Sequence, residues 1–435
     1  MNPDFLNRIQ SYIPNEMDDF LSSLDRPMYR GLRVNPQKWK KPKLSLKRAP
    51  FSENEYYVDE ALGNHPYHLA GLFYLQEPSA SSAVEILDVQ PDDVVLDLCA
   101  APGGKSTQIA SKLDTGFLVA NEYDSKRARI LLSNMERMGI EHMMVLNNDP
   151  SQLVTKFARC FDRILVDAPC SGEGMMKKHD EAMDQWSVEH IQFCAKRQKQ
   201  ILESAYQLLK GNGTIVYSTC TYAKEETEDV IQWFLDTYPD MELIDPGVSF
   251  GRSGFIKNTI RIFPMDKGEG HFVAKLHKKS GATNRLPVQK SMPIDAITKE
   301  FFIEQLGFVP KYHEMQKDKI YVMDHSFIQT KGLHCLRQGI FAGERIKKRF
   351  EPAHAFYMNA KWIDTYKNRT NLSLEEIDAF MHGLEIEHPS QKGYIAVCVD
   401  GYPFGFGKSD GKHIKNKIPK GLRLLPNSHI KRRCL

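Results

Sequence analysis

Between residues 91 and 277 short apolar runs alternate with helical patterns, and that alternation leaves the chain few possible folds. Val94–Leu98, Gly116–Asn121, Met143–Asn147, Arg163–Asp167 and Thr214–Thr219 read as strands. Helical periodicity fills most of the intervals, notably Ser125–Met138 and Val188–Lys210. Such alternation predicts an α/β fold with a parallel sheet covered on both faces. Asp97, Glu122, Asp149, Asp167 and Cys220 fall at or just beyond the carboxyl ends of the five runs. Ligands of open α/β sheets bind at that edge, so a site is expected there.

The flanking regions follow other patterns. Phe5, Ile9, Tyr12 and Ile13, then Met17, Phe20 and Leu21, are spaced for helix faces, so residues 1 to about 90 are expected to be mainly helical. Pro78 and Ser79 read as a helix start, with Val84, Ile86 and Leu87 on its apolar face. Tyr29–Asn35 is a short, basic, extended piece, either a surface strand with solvated arginines or a phosphate contact. His277–Arg285 is polar and basic, as a linker would be. Tyr312, Tyr321 and Phe341 are candidate core residues of a small domain beyond it. Tyr394–Val399 and Gly401–Gly407 read as strands, and residues 408–435 hold nine Lys or Arg against one acid, Asp410. A basic run beside a β-rich module points to nucleic acid. The expected division is an N-terminal RNA-binding region 1–90, a catalytic domain 91–280, a linker and intermediate domain 281–350, and a C-terminal module 351–435.

Composition narrows the class. A net charge of +3 neither demands nor excludes nucleic acid. The eight cysteines contain no Cys-x-x-Cys pair, so no metal centre is expected. Asp4, Asn7, Arg8 and Gln10 interrupt any leader-like apolar run, and no stretch approaches a membrane span. A cytoplasmic protein with reduced thiols follows, in which a thiol is free to be chemical.

Three motifs carry that chemistry. Asp97-Leu98-Cys99-Ala100-Ala101-Pro102-Gly103-Gly104-Lys105-Ser106 forms a glycine turn between a strand and a helix. A phosphate-binding P-loop would need glycine at position 99, where this chain has Cys99. Glu122 lies 18 residues beyond Gly104, near the spacing at which an acid bonds ribose hydroxyls, so a nucleoside ligand is expected. Asp167-Ala168-Pro169-Cys170-Ser171-Gly172 and Tyr217-Ser218-Thr219-Cys220-Thr221-Tyr222 each set a cysteine just past a strand end. One such cysteine is ordinarily structural; two at the ligand rim point to chemistry. A thiolate adding to carbon 6 of a pyrimidine makes carbon 5 nucleophilic towards an electrophilic methyl group. A carboxyl group such as Asp167 holds the ring-nitrogen edge, and a base must then remove the carbon-5 proton.

These three motifs, in this order, resemble the nucleolar-protein/Sun (NSUN) family of RNA 5-methylcytosine methyltransferases over about residues 1–280. The resemblance implies a Rossmann-like core using S-adenosylmethionine. It implies that Cys99, Ala100, Ala101, Pro102, Gly103, Gly104 and Lys105 cradle the methionine part, that Glu122 bonds the ribose, and that Asp149 reaches the adenine. Asp167 would face both cofactor and base, acting as base or stabilising the adduct. Cys220, of the Thr-Cys motif, would be the nucleophile, and Cys170 would assist product release. Gly268–Phe272 fits the closing strand of that family, and the loop Gly172–Lys178 would border the RNA groove. The tail resembles the PUA-like module of the bacterial 16S ribosomal RNA branch, so 16S ribosomal RNA or the 30S subunit is the expected partner, without membrane or metal. Transfer RNA remains an alternative substrate. An amine methyltransferase is a second alternative, although it needs no thiol, and an RNA-binding assembly factor is a third. The target must leave its stack for carbon 6 to be reached face-on, at a cost of a few kcal/mol.

Overall fold

The computed structural model describes residues 2–177 and 186–431. Helices Pro3–Tyr12 and Met17–Leu24 open the chain, as their apolar spacing predicts. A three-stranded antiparallel sheet follows, from β1 (Gly31–Val34), β2 (Glu55–Tyr57) and β3 (Phe73–Gln76), in the order β2-β1-β3. These strands are only three or four residues long, too short to show a period in the sequence.

The expectation for Tyr29–Asn35 requires correction. β1 is the central, fully buried strand, and Arg33 is 1% exposed. Its guanidinium donates to the Gly104 carbonyl at 2.9 Å and to Thr107 Oγ1 at 2.7 Å. Arg33 is thus neither solvated nor available to phosphate; it braces the helix that follows the glycine turn.

The central sheet contains β4 (Val94–Asp97), β5 (Phe117–Asn121), β6 (Met143–Leu146), β7 (Phe161–Asp167) and β8 (Leu209–Thr219), parallel in the order β8-β7-β4-β5-β6. Their apolar residues are buried on both faces, against helices such as Ser125–Met138 and Val188–Leu208. Ser125–Met138 occupies the residues its periodicity predicts, between the Asp124 cap and Gly139 at φ 78°. β9 (Met241–Ile244), β10 (Arg252–Ser253), β11 (Thr259–Ile262) and β12 (His271–Lys278) close one edge, with β12 antiparallel to β8.

The segment beyond 281 contains the helix Ala296–Leu306 and the strands β13 (Tyr312–Gln316), β14 (Lys319–Met323), β15 (Cys335–Gln338), β16 (Ile340–Ile346) and β17 (Arg349–Pro352). β15 pairs antiparallel with β6, so this segment extends the central sheet. Tyr321 and Phe341 are half-buried, whereas Ile320, Val322, Ile340 and Ala342 form core. Strand alternation sets the two aromatics on the opposite face.

The last sheet, β18 (Arg369–Asn371), β19 (Ile386–Glu387), β20 (Gly393–Val399), β21 (Tyr402–Ser409) and β22 (His413–Asn416), contains both strands expected there. Its Val397 and Phe404, with Ile377 and Phe380 of the helix Leu374–Met381, share a core with Leu32, Val34 and Phe73, so the two ends of the chain pack together. Lys408, Lys412, Lys415, Lys420 and Lys431 are exposed; Arg432, Arg433 and Cys434 lie outside the described residues. No described helix is long and apolar enough to cross a membrane.

Arg33→Ala should cost about 3 kcal/mol in unfolding free energy, since it strands the buried Gly104 and Thr107 acceptors and empties the space of a large buried side chain. Denaturant titration checks this; a loss under about 0.5 kcal/mol would contradict the bracing role.

Candidate active site

Strand pairing assembles the site. β7 and β8 are parallel neighbours, with Asp167 opposite Ser218. Cys170 and Cys220 follow in adjacent loops, and their sulfurs lie 3.2 Å apart. Burial and this contact push the Cys170 thiol well above its ordinary pKa, the sulfur contact being the larger cause. Both residues are partly accessible.

Beside the thiols, Lys105 Nζ donates to Asp167 Oδ2 at 2.8 Å, and Ser218 Oγ donates to Asp167 Oδ1 at 2.7 Å. Burial pushes the Asp167 carboxyl up, but Lys105 and Ser218 outweigh it and hold the group below the usual carboxylate range. The same pairing raises Lys105 against its own burial. Asp167 is therefore an anion at neutral pH. Lys105, expected against the cofactor, also pairs with Asp167.

The glycine turn connects β4 to the helix Gly104–Lys112. Gly103 has φ 110°, and a Cβ there would meet Leu131 Cδ1 at 3.1 Å, so the turn requires glycine. Glu122 Oε2 accepts from Ala101 N at 3.2 Å and Oε1 from Asp124 N at 2.9 Å, fastening the turn to the end of β5. Asp149 caps the helix Pro150–Phe157 by accepting from Ser151 N at 3.0 Å. Cys99 is held protonated by burial and then by the Glu122 charge. The turn, Glu122, Asp167 and both cysteine loops thus share the carboxyl edge of the sheet, with Asp149 beyond β6. Met175 and Lys177 line a cavity of about 630 Å³ with Tyr29, Arg30 and Glu77, while Met176 packs inward and Lys178 lies outside the described residues.

Residues 84–277 match the family model of the 16S rRNA methyltransferases RsmB/F. Residues 1–78 match the N-terminal domain of RsmF, 300–359 its first C-terminal domain and 367–424 its PUA domain. Ribosomal RNA small subunit methyltransferase F of Aeromonas salmonicida is 32% identical over 97% of both chains. The chain belongs to the RsmF family of 16S rRNA methyltransferases. The Shewanella putrefaciens RsmF relative is 30% identical over 97% of this chain and 96% of its own. A methyltransferase homologue from Pyrococcus horikoshii shares 29% identity with a TM-score of 0.56, over 64% of this chain and 95% of that one. NSun6 from the same organism has the same fold at TM-score 0.59 and 20% identity, over 64% of this chain and 99% of that one.

Membership of the RsmF family implies S-adenosylmethionine, and the residues present fit it. Asp97 lies beneath the glycine turn; its Oδ2 accepts from Ser106 Oγ at 2.6 Å, while its buried Oδ1 has no partner. A free acceptor there suits an ammonium donor. The motif reading used Asp97 only as a rim acid. Glu173, Glu226, Ser171 and Thr221, which surround the cysteines, also escaped it; acids three residues past Cys170 and six past Cys220 were the available signal.

Burial pushes Asp97 up to about 7. A bound ammonium favours the anion, so the protein without cofactor gains a proton as pH falls through that value and cofactor affinity falls with it. Calorimetry at roughly pH 8 and pH 6 should show about a tenfold weakening, absent in Asp97→Asn. An equal slope in both proteins would remove Asp97 from the cofactor site.

Proposed function

We propose that the protein methylates carbon 5 of a cytosine in 16S ribosomal RNA, in the cytoplasm, through a covalent adduct of Cys220. The observation that carries this reading is the pair of thiols 3.2 Å apart beside the Lys105–Asp167 ion pair. An exocyclic-amine methyltransferase would have no use for that pair. The proposed division into regions 1–90, 91–280, 281–350 and 351–435 assigns cofactor and base to the second. The first and last carry RNA, supported by the exposed lysines from Lys408 onward and by the exposed Arg30 at the mouth of the cavity.

S-adenosylmethionine, held by the turn Cys99–Lys105 together with Asp97, Glu122 and Asp149, supplies an electrophilic methyl group. Asp167 accepts from the exocyclic amino group of the flipped cytosine. Lys105 and Ser218 keep Asp167 ionised, and as the thiolate adds and negative charge develops on the ring the Lys105 ammonium beside Asp167 offsets it. Cys220 Sγ then bonds to carbon 6, and the carbon 5–carbon 6 π electrons become available at carbon 5. Carbon 5 would then take the methyl group that a cofactor held by Cys99–Lys105, Asp97, Glu122 and Asp149 would supply. A base removes the carbon-5 proton, the double bond reforms, and Cys220 leaves as a thiolate. Asp167, an anion lowered by Lys105, is a weak base for that step. Cys170, kept a neutral thiol by its raised pKa, does not take that proton; its sulfur beside Cys220 suits it to assist release.

Cys220→Ala should abolish methylation, at least about 10⁴-fold. Cys170→Ser should instead accumulate a denaturant-resistant protein–RNA complex. Bisulfite sequencing of ribosomal RNA from a deletion strain, with methylation assays on 30S subunits, naked 16S RNA and transfer RNA, tests the substrate. Product on transfer RNA alone would contradict it.

A further inference from the structure

Two buried glutamates surround the cysteine pair, and each reaches across from the segment of one cysteine to the neighbour of the other. Glu226 follows Cys220 in the chain, yet its carboxylate accepts from the backbone N of Ser171 at 3.0 Å and from the Ser171 hydroxyl. Glu173 follows Cys170, yet it accepts from Thr221 Oγ1 and from Tyr222 N, both at 2.9 Å. Ser171 and Thr221, the residues directly after the two cysteines, are hydrogen-bonded to each other at 2.9 Å.

The remaining capacity of both acids is taken up by further anchors. Gln198, on the helix Val188–Leu208, donates to Glu226 at 2.8 Å and to the Pro169 carbonyl at 3.1 Å, holding the Cys170 loop from below. Trp186 Nε1 donates to Glu173 at 2.7 Å. Gly174 N donates to the Cys220 carbonyl at 2.9 Å. Gly174 also packs on Gly270, where a Cβ would meet the Gly270 Cα at 2.5 Å. Neither carboxylate reaches a sulfur directly by any of these bonds, and the two loops have no covalent tie.

We infer that Glu226 and Glu173 form a reciprocal clamp that sets the distance between Cys170 and Cys220, and that this distance governs the hand-off from methyl transfer to product release. The inference rests on the two-cysteine reading above. Methyl transfer requires only Cys220, the base and the donor. Release requires the second thiol to stay within reach of the adduct formed on the first. A clamp that loosens should therefore slow release selectively. The two glutamates are positioning residues, since neither touches the reacting atoms. Burial pushes Glu226 up to about 7, which matches a carboxylate enclosed by the two loops.

Single-turnover and steady-state assays on Glu226→Gln and Ser171→Ala test this. Glu226→Gln keeps the shape but loses one acceptor; Ser171→Ala removes the cross-link with a smaller change and serves if the first variant does not fold. Both should form methylated product–protein adduct in the first turnover within about threefold of the parent rate. Turnover should then fall about tenfold, the scale of one hydrogen bond to a charged group. KM for RNA should stay within about twofold, and a denaturant-resistant complex containing already methylated RNA should accumulate. Turnover unchanged in both variants, or first turnover and steady state lost equally without a complex, would overturn the clamp. Cys170→Ser is the control. A complex with Cys170→Ser but none with the clamp variants overturns the clamp alone; no complex with Cys170→Ser overturns the cysteine assignment beneath it.

Discussion

Parallel pairing of β7 with β8 is the constraint on which the site depends. Asp167 and Ser218 are opposite one another in that ladder and share a hydrogen bond. Cys170, three residues past the first, and Cys220, two past the second, emerge side by side as a consequence. The β4 turn, next in the sheet, then delivers Lys105 to Asp167. A buried ion pair of this kind is costly to desolvate and gives little net stability. Its effect here is chemical: it keeps one carboxylate ionised beside the Cys170 thiol, whose pKa is raised.

Much of this was legible in the sequence because the relevant signals are local. The five parallel strands are apolar runs buried on both faces, and Ser125–Met138 has a cap, a glycine stop and a 3.6-residue period. The cysteines and Asp167 stand out because their positions follow strand ends. What escaped was set by long-range contact. β1 to β3 are too short to carry periodicity, and Arg33 reads as a surface cation in sequence because its partners, Gly104 and Thr107, lie some seventy residues away. β15 gains its position only by pairing with β6, nearly two hundred residues earlier. The clamp glutamates have no motif of their own, because their function lies in crossing between two loops.

The flanking regions bear on the site through packing. The helices Pro3–Tyr12 and Met17–Leu24 share a core with Met176, Tyr222 and Phe263, directly behind the two cysteine loops. The first sheet shares a core with the C-terminal sheet that includes Leu32 and Val397. The exposed lysines of the tail therefore belong to a body continuous with the catalytic edge, and under the proposed function phosphate contacts there would offset the cost of extruding the target base.

The central claim is that Cys220, and not Cys170, bonds to carbon 6. RNA carrying 5-fluorocytosine at the target position tests it directly, because fluorine at carbon 5 cannot leave as a proton and the adduct persists. Protease digestion and mass spectrometry of the trapped complex identify the attached cysteine. The proposed mechanism predicts the methylated fluoropyrimidine on the peptide containing Cys220; its recovery on the peptide containing Cys170 would contradict it.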